Sequence, residues 1–283
     1  MSSTNENNLR DMWQGTAAAR WLQEQVRLDE LLRPFGQAAQ MTLAAVSGEW
    51  ILDVGCGAGT TSFELADAVA PSGGVYGIDI SEPLLERARE RAEAAGSKNT
   101  QWIVADAATH RFDRGFDALY SRFGVMFFSD PVAAFSNLRD ALQRSGRLAF
   151  VCWQELDRNP WANRPLTAAR SAAPELPLPA MFQPGQPGPF AFGDQEYVND
   201  SLKAAGFRQV DITRFERPVH LGASAEDAAD SSLVIGPTSR FAAEAPPEVG
   251  ASIRNAIIEA LKPFESPRGV WLDAATYVVS ARA

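Results

Sequence analysis

The stretch that decides the fold is WILDVGCGAGTTSFELA, Trp50 to Ala66. It opens as an apolar run broken by one acid, Asp53, continues with glycine at every second position, Gly55, Gly57 and Gly59, and ends in a helical pattern. A short apolar run bounded by turn residues reads as a buried strand, and the pattern beyond Thr60 as a helix. A glycine turn between them lets a ligand approach the main chain closely, because no Cβ stands in the way.

Working outward, residues 50–153 alternate short β-branched runs with helical stretches. Strands are expected at Trp50–Val54, 74–80, 100–105, 116–123 and 147–153, with helices at 61–69, Glu82–Ala95 and 132–143. Such a βαβ series predicts a mostly parallel sheet covered on both faces. Thr61 and Glu64 have capping-box spacing, Ser81 is placed to cap the next helix with Pro83 in its first turn, and Gly96 is placed to end it.

The flanks read differently. Residues 8–46 look mostly helical, with Trp13, Trp21, Val26, Leu28, Leu31 and Leu32 as packing candidates and an interruption at Pro34-Phe35-Gly36. Beyond Trp153, Pro160, Pro165, Pro174, Pro177, Pro179, Pro184, Pro187 and Pro189 punctuate a segment of little periodicity. A connection of that length is usually functional, so 154–192 is expected to be a lid or pocket wall. A helix at 194–205 stopped by Gly206, a strand at 209–215, a helical insertion at 218–268 and a final strand at 275–281 complete the chain. Within the insertion Ser224 and Asp227 open one helix, and Val249, Ile253, Ile257 and Leu261 share a face of another. The division expected is therefore 1–48 helical lid, 49–153 core, 154–192 proline-rich lid, and 193–283 completing the sheet.

Composition narrows the function. With 283 residues, 46% apolar and 22% charged, the chain can bury a full core and is neither disordered nor membrane-spanning in character. No apolar run reaches the length of a spanning helix and the N-terminus lacks a signal design, so a cytoplasmic protein is expected. A net charge of −9 without a basic cluster argues against a nucleic-acid partner. Cys56 and Cys152 have no metal-ligand spacing, no His/Cys cluster suggests a metal, and both thiols read as small buried groups.

The spacing of the glycines separates the candidate ligands. A dinucleotide fingerprint starting at Gly55 requires glycine at position 60, where the chain has Thr60, and no Gly-Lys-Ser/Thr follows to make a P-loop. What is present is Asp53-x-Gly55-x-Gly57-x-Gly59. This form resembles the first motif of the class I S-adenosylmethionine-dependent methyltransferases, in particular the ubiquinone/menaquinone-biosynthesis type and its small-molecule relatives. The resemblance is strong over about 50–153 and weaker outside, and three later positions agree with it: Asp79 ending VYGIDI, Asp106 in VADAA, and SRFGVMFFSDP after the fourth strand.

The resemblance implies a Rossmann-like, doubly wound, mostly parallel seven-stranded sheet whose last strand is antiparallel. It also implies a donor without phosphate: a zwitterionic methionine, a sulfonium, a ribose diol and an adenine. The methionine carboxylate suits backbone N–H groups of a glycine turn near a helix N-terminus, and the ammonium suits acceptors such as Asp53. Asp79 would take both ribose hydroxyls, Asp106 the adenine amino group, the Ala107 amide and Ile80 the ring. Trp13, Gly55, Cys56, Gly57, Thr60, Thr61, Ser121, Arg122 and Phe123 complete the expected S-adenosyl-L-methionine contacts, with S-adenosyl-L-homocysteine as product. In the family's strand order Cys56 and Cys152 are separated by one strand, roughly 9–10 Å between Cα atoms, too far for a disulfide.

Arg122 sits in an apolar stretch, so it either pairs with a buried acid or faces a substrate. Met126, Phe127, Trp153 and Trp161, with Trp13, suggest an aromatic pocket wall and hence a hydrophobic or aromatic small-molecule acceptor, methylated at O, C or N. Sulfonium displacement needs an in-line nucleophile and, for a hydroxyl or acidic carbon, loss of a proton. His110 reads as a surface residue, and His220, expected to begin the helical insertion, reads first as a loop histidine and second as the candidate base; transfer mainly through positioning is expected. A nicotinamide-dependent reductase is weakened by Thr60 and by the lack of any Tyr-x-x-x-Lys pair. A donor-binding protein with another chemistry stays open, as do monomer and homodimer.

Overall fold

In the computed structural model, residues 11, 13–179, 186–243 and 245–283 are described. Residues 1–10 and 12 of the expected N-terminal lid, Pro184 with the rest of 180–185, and Glu244 of the insertion lie outside them.

The chain runs α1 (Thr16–Gln23), α2 (Gln25–Leu43), β1 (Trp50–Val54), α3 (Thr60–Val69), β2 (Gly74–Asp79), α4 (Glu82–Ala95), β3 (Thr100–Val104), β4 (Phe116–Arg122), α5 (Pro131–Asp140), β5 (Leu142–Trp153), α6 (Pro160–Ala172), α7 (Gln195–Ala204), β6 (Arg208–Gly222), α8 (Ala225–Val234), α9 (Pro237–Ala243), α10 (Pro247–Leu261), β7 (Glu265–Ser266) and β8 (Gly269–Arg282). The sheet order is β3-β2-β1-β4-β5-β8-β6. Its first five strands pair in parallel, the register running Asp53 to Gly77 on one side and to Tyr120 on the other. The last strands are antiparallel. The two-residue β7, paired with the start of β8, is an eighth strand beyond the seven expected.

Two compact units emerge. The first comprises 1–152, 194–215 and 277–283; the second comprises 153–193 and 216–276. The first unit's core is built from β1, where Ile51 and Leu52 are fully buried, from Tyr120 and Phe116 of β4, and from Phe135 stacked 5.7 Å from Phe150. The second unit is mainly α6, α8, α9 and α10, with Ile253, Ile257 and Leu261 fully buried along one face of α10 and Val249 only partly so.

Several local expectations need correction. Pro34 does not interrupt α2, and Val26 is 73% exposed rather than packed. The segment after Trp153 contains a helix: Pro160 occupies the first turn of α6, where its missing N–H costs nothing, and Trp161, Ala162, Pro165, Leu166 and Ala169 are buried at helical spacing. The capping box at Thr61 does not form, because Gly59 is the N-cap at φ 82° and the Thr61 hydroxyl turns to Asp53 instead. Ser81 is the N-cap of α4 without a side-chain cap bond; its hydroxyl donates to the Trp13 carbonyl. Ser224 does cap α8, accepting from the Asp227 N–H. His220 lies within β6, which runs on to Gly222, not in a helix.

Candidate functional site

The order β3-β2-β1-β4 brings the carboxyl ends of four strands side by side, so the loops after Val104, Asp79, Val54 and Arg122 form one rim. The glycine loop is its centre. The Gly55 and Cys56 N–H groups both donate to the Ile78 carbonyl, and Gly59 N–H closes a turn on the Cys56 carbonyl. Gly55, at φ 68°, lies so near Gly124 that an added Cβ would come within 2.8 Å of its Cα, and one on Gly59 would meet Trp102 at 2.6 Å. Gly57 differs: at φ 54° a Cβ there would meet only Leu84, at 4.0 Å. Its side of the loop is open enough for another group to approach the backbone.

Asp79 closes that space from β2. Its Oδ2 accepts the Gly57 N–H at 2.8 Å and its Oδ1 the Ser81 N–H at 2.9 Å. A carboxylate offers about four acceptor positions, so capacity remains for further donors. Burial pushes its pKa up, only partly countered by the bonds from the Ser81 and Gly57 backbone.

Asp53 is wholly buried, and Thr61 and Ser62 hydroxyls both donate to its Oδ2, at 2.7 and 2.6 Å. Its Oδ1 is buried without a hydrogen-bond partner. Burial raises its pKa from the ordinary 3.8 to about 6, against the Ser62 and Thr61 bonds and the nearby Arg122 charge. An acceptor so placed suits a donated hydrogen bond from a cation. Cys56 beside it is a buried free thiol, pushed well up by burial and by the Asp79 and Asp53 charges, and packs on Leu85, Ala88, Trp102 and Val104. Cys152 is also free.

The third tip carries Asp106, exposed, whose Oδ1 accepts the Ala108 N–H. Ala107 is buried, and Asn137 of α5 pins this loop by donating to the Ala107 and His110 carbonyls. At the fourth tip Ser121 donates to the Val54 carbonyl and accepts the Gly124 N–H, fastening β4 to β1. Phe123 takes a positive φ of 61°, uncommon for a bulky residue, and packs on Phe35. Met126 is buried and Phe127 half-buried. The Trp13 ring meets Phe127 edge-on at 5.8 Å, its carbonyl accepts from Ser81, and Gln14 Nε2 donates to the Ile80 carbonyl. The N-terminal segment therefore bridges the second and fourth tips.

Arg122 pairs with an acid. Its Nη2 reaches Asp29 Oδ1 of α2 at 2.8 Å, and both side chains are about nine-tenths buried. Thr60, at the place of the missing third fingerprint glycine, donates to Asp29 Oδ2 and accepts from Arg91. Sequence reasoning missed Asp29, Ser62, Arg91 and Asn137. For Asp29 a signal existed: an acid on the same helical stripe as Leu28, Leu32 and Phe35 needs a cation.

Trp153, Trp161 and His220 belong to the second unit. The two tryptophan rings pack at 5.0 Å, and both are buried. His220 is exposed, its ring 5.0 Å from that of Trp271. Among the described residues no helix is long and apolar enough to cross a membrane, and no group of three His, Cys, Asp or Glu could hold a metal ion.

Known proteins resemble this same part of the chain. Residues 51–146 match a family described as "Methyltransferase domain". Aklanonic acid methyltransferase DauC of Streptomyces sp. is 38% identical over 43% of this chain and 56% of its own length. Nocamycin O-methyltransferase of Saccharothrix syringae is 28% identical over 70% and 72%, and demethylmenaquinone methyltransferase of Lactococcus lactis 31% identical over 38% and 42%. The matches thus span only part of these relatives. Among solved structures, YcgJ of Bacillus subtilis superposes with a TM-score of 0.58 at 17% identity, covering 88% of this chain and 97% of that one. A Haemonchus contortus phosphoethanolamine N-methyltransferase, solved with phosphomonomethylethanolamine and S-adenosylhomocysteine, gives 0.53 at 15%, covering 86% and 51%. At these identities the structural likeness shows the fold, and the sequence match falls on the part that carries the glycine loop: residues 51–146 are similar to a methyltransferase domain.

Proposed function

We propose that the chain transfers the methyl group of S-adenosyl-L-methionine to a hydrophobic or aromatic small molecule, leaving S-adenosyl-L-homocysteine. The observation that carries this reading is the Asp79 carboxylate, fixed by two backbone N–H groups beside the open face of Gly57. A ribose diol would donate to it, as to the ribose-binding acid of dinucleotide folds, and Thr60 in place of the third fingerprint glycine argues against the dinucleotide. The unpartnered Asp53 Oδ1 suits the donor's ammonium, directly or through water. By the same reading, Ile80, Asp106 and Ala107 would lie against the adenine.

When bound, the donor supplies a methyl group already activated by the sulfonium charge. The protein's work is then to bind, orient and exclude water. Asp79 and the glycine loop would orient the nucleoside, and Trp13 and Phe127 would cover the rim. Relatives named for aklanonic acid, nocamycin and demethylmenaquinone favour an organic small molecule as acceptor. Met126 and Phe127 are the residues of the first unit we assign to the acceptor side. His220 is the one candidate base in this reading.

Titration calorimetry with S-adenosylmethionine and with NADPH tests the donor: binding of the first alone is expected, and binding of NADPH alone would overturn the reading. Incubation with labelled donor and phenol, quinol and amine panels tests the transfer. Donor binding with no methylated product from the natural acceptor would leave a different reaction using the sulfonium as a fixed charge.

A further inference from the structure

The glycine loop has three residues at positive φ and little side chain of its own to hold it, so its shape depends on what grips it from outside. One grip is the close contact of Gly55 with Gly124. The other runs through polar side chains from three separate elements. Tyr120 and Arg122 alternate onto one face of β4, and α2 crosses that face closely because Gly36 carries no Cβ: one there would lie 3.0 Å from Arg122 Cδ, and the Gly36 carbonyl accepts from the Tyr120 hydroxyl at 3.0 Å. This brings Asp29 against Arg122 at 2.8 Å. The other Asp29 oxygen accepts the Thr60 hydroxyl at 2.6 Å. That hydroxyl accepts Arg91 Nη1 at 2.9 Å, and the same nitrogen donates to the Ala58 carbonyl inside the loop at 2.6 Å. Gln25 adds a long bond of 3.4 Å to Asp29 Oδ2.

The arrangement joins the tip of β4, where Phe123 is held at φ 61°, to the segment Ala58–Thr60 that leads the loop into α3. Asp29 is the only acid in the chain of contacts just described: it pairs directly with Arg122 and attracts Arg91 across the Thr60 hydroxyl. We infer that Asp29 is a positioning residue: relayed through the Thr60 hydroxyl to Arg91, it clamps the glycine loop against the β4 tip and thereby sets donor affinity without touching the donor. The inference rests on the methyl-donor reading above, which places the donor over Gly57.

The test uses the full chain and S-adenosyl-L-homocysteine as probe, in a double-mutant cycle of Asp29→Asn and Arg91→Met. Neither residue is an expected donor contact, and the two are joined by hydrogen bonds through Thr60 as well as by the attraction of their charges. Each single variant should weaken the dissociation constant by about tenfold, the scale of one lost hydrogen bond to a charged group, and the donor KM should rise by the same factor. The double variant should be no weaker than Asp29→Asn alone, since the second change acts on a relay already cut. Arg91→Lys, which keeps a donor on the stem, should recover part of the loss. Lowered melting temperatures with unchanged dissociation constants, or effects that simply multiply, would overturn the inference. Should Asp29→Asn fail to fold, Arg91→Met decides alone: wild-type affinity refutes the clamp. A wild-type chain that does not bind the probe overturns the donor reading itself.

Discussion

The rim of the first unit and the loop that opens the second both bury polar side chains, and they spend hydrogen-bonding capacity in opposite ways. Asn159, fully buried before α6, uses every position it has: its Nδ2 donates to the Gln154 and Glu155 carbonyls, and its Oδ1 accepts from Trp161 Nε1 and the Ala275 N–H. Gln154 adds a bond to the Thr276 carbonyl. On the rim, Asp53 leaves one oxygen without a partner, and Asp79 meets two N–H groups with capacity to spare. Saturation marks a residue that holds its own unit together. A buried acceptor left short is costly, and a ligand that supplies the missing donor recovers that cost.

The comparison is tested most strongly at Asp79. Asp79→Ala removes the acceptor for two ribose hydroxyls, and at about 1.5–3 kcal/mol for each bond to a charged group the donor affinity should fall by more than about a hundredfold. Calorimetry reads this directly, and affinity within a few-fold of wild type would break the ribose assignment. Asn159→Ala should show the reverse pattern: a loss of about 3 kcal/mol in unfolding free energy from stranded partners, measured by urea titration, with donor affinity kept.

A pH series sharpens the contrast further. The folded pKa of Asp53 is raised to about 6 from 3.8 because it is buried, so between these values the native state holds a proton that the unfolded chain has released. The sign is then negative: this group's contribution to stability declines as pH climbs from about 4 to 6, by roughly 3 kcal/mol in all, and stays level above. Wild type minus Asp53→Asn, by urea unfolding across pH 4 to 8, should isolate that decline. The smallest effect is expected at His220: exposed on β6, His220→Gln should change stability by no more than about 0.5 kcal/mol, and a large loss of turnover at unchanged donor affinity would identify it as the base.

The parallel strands and the helices between them were legible because a buried strand is apolar throughout and an amphipathic helix repeats, both local properties. Asp53, Gly57 and Asp79 were legible for a related reason: acids and alternating glycines at strand tips are written in one short window each. The partners of those residues were not. Ser62 is an ordinary helix residue until Asp53 is buried beneath it, and Arg122 had two readings until α2 brought Asp29 across β4. The helix α6 was hidden by its prolines, although its buried stripe from Trp161 to Ala169 kept helical spacing. His220 was misplaced because β6 continues through exposed, charged residues and Pro218 that carry no strand pattern.

By itself, then, the sequence determined the βαβ series and the absence of a dinucleotide fingerprint or a P-loop, since each depends on residues near one another in the chain. The tertiary structure alone decided which acceptors are saturated and which are left open, and which distant cation meets which acid. Hydrogen bonds and ion pairs form between whatever side chains the packing brings within about 3 Å, and that proximity is a property of the folded chain as a whole.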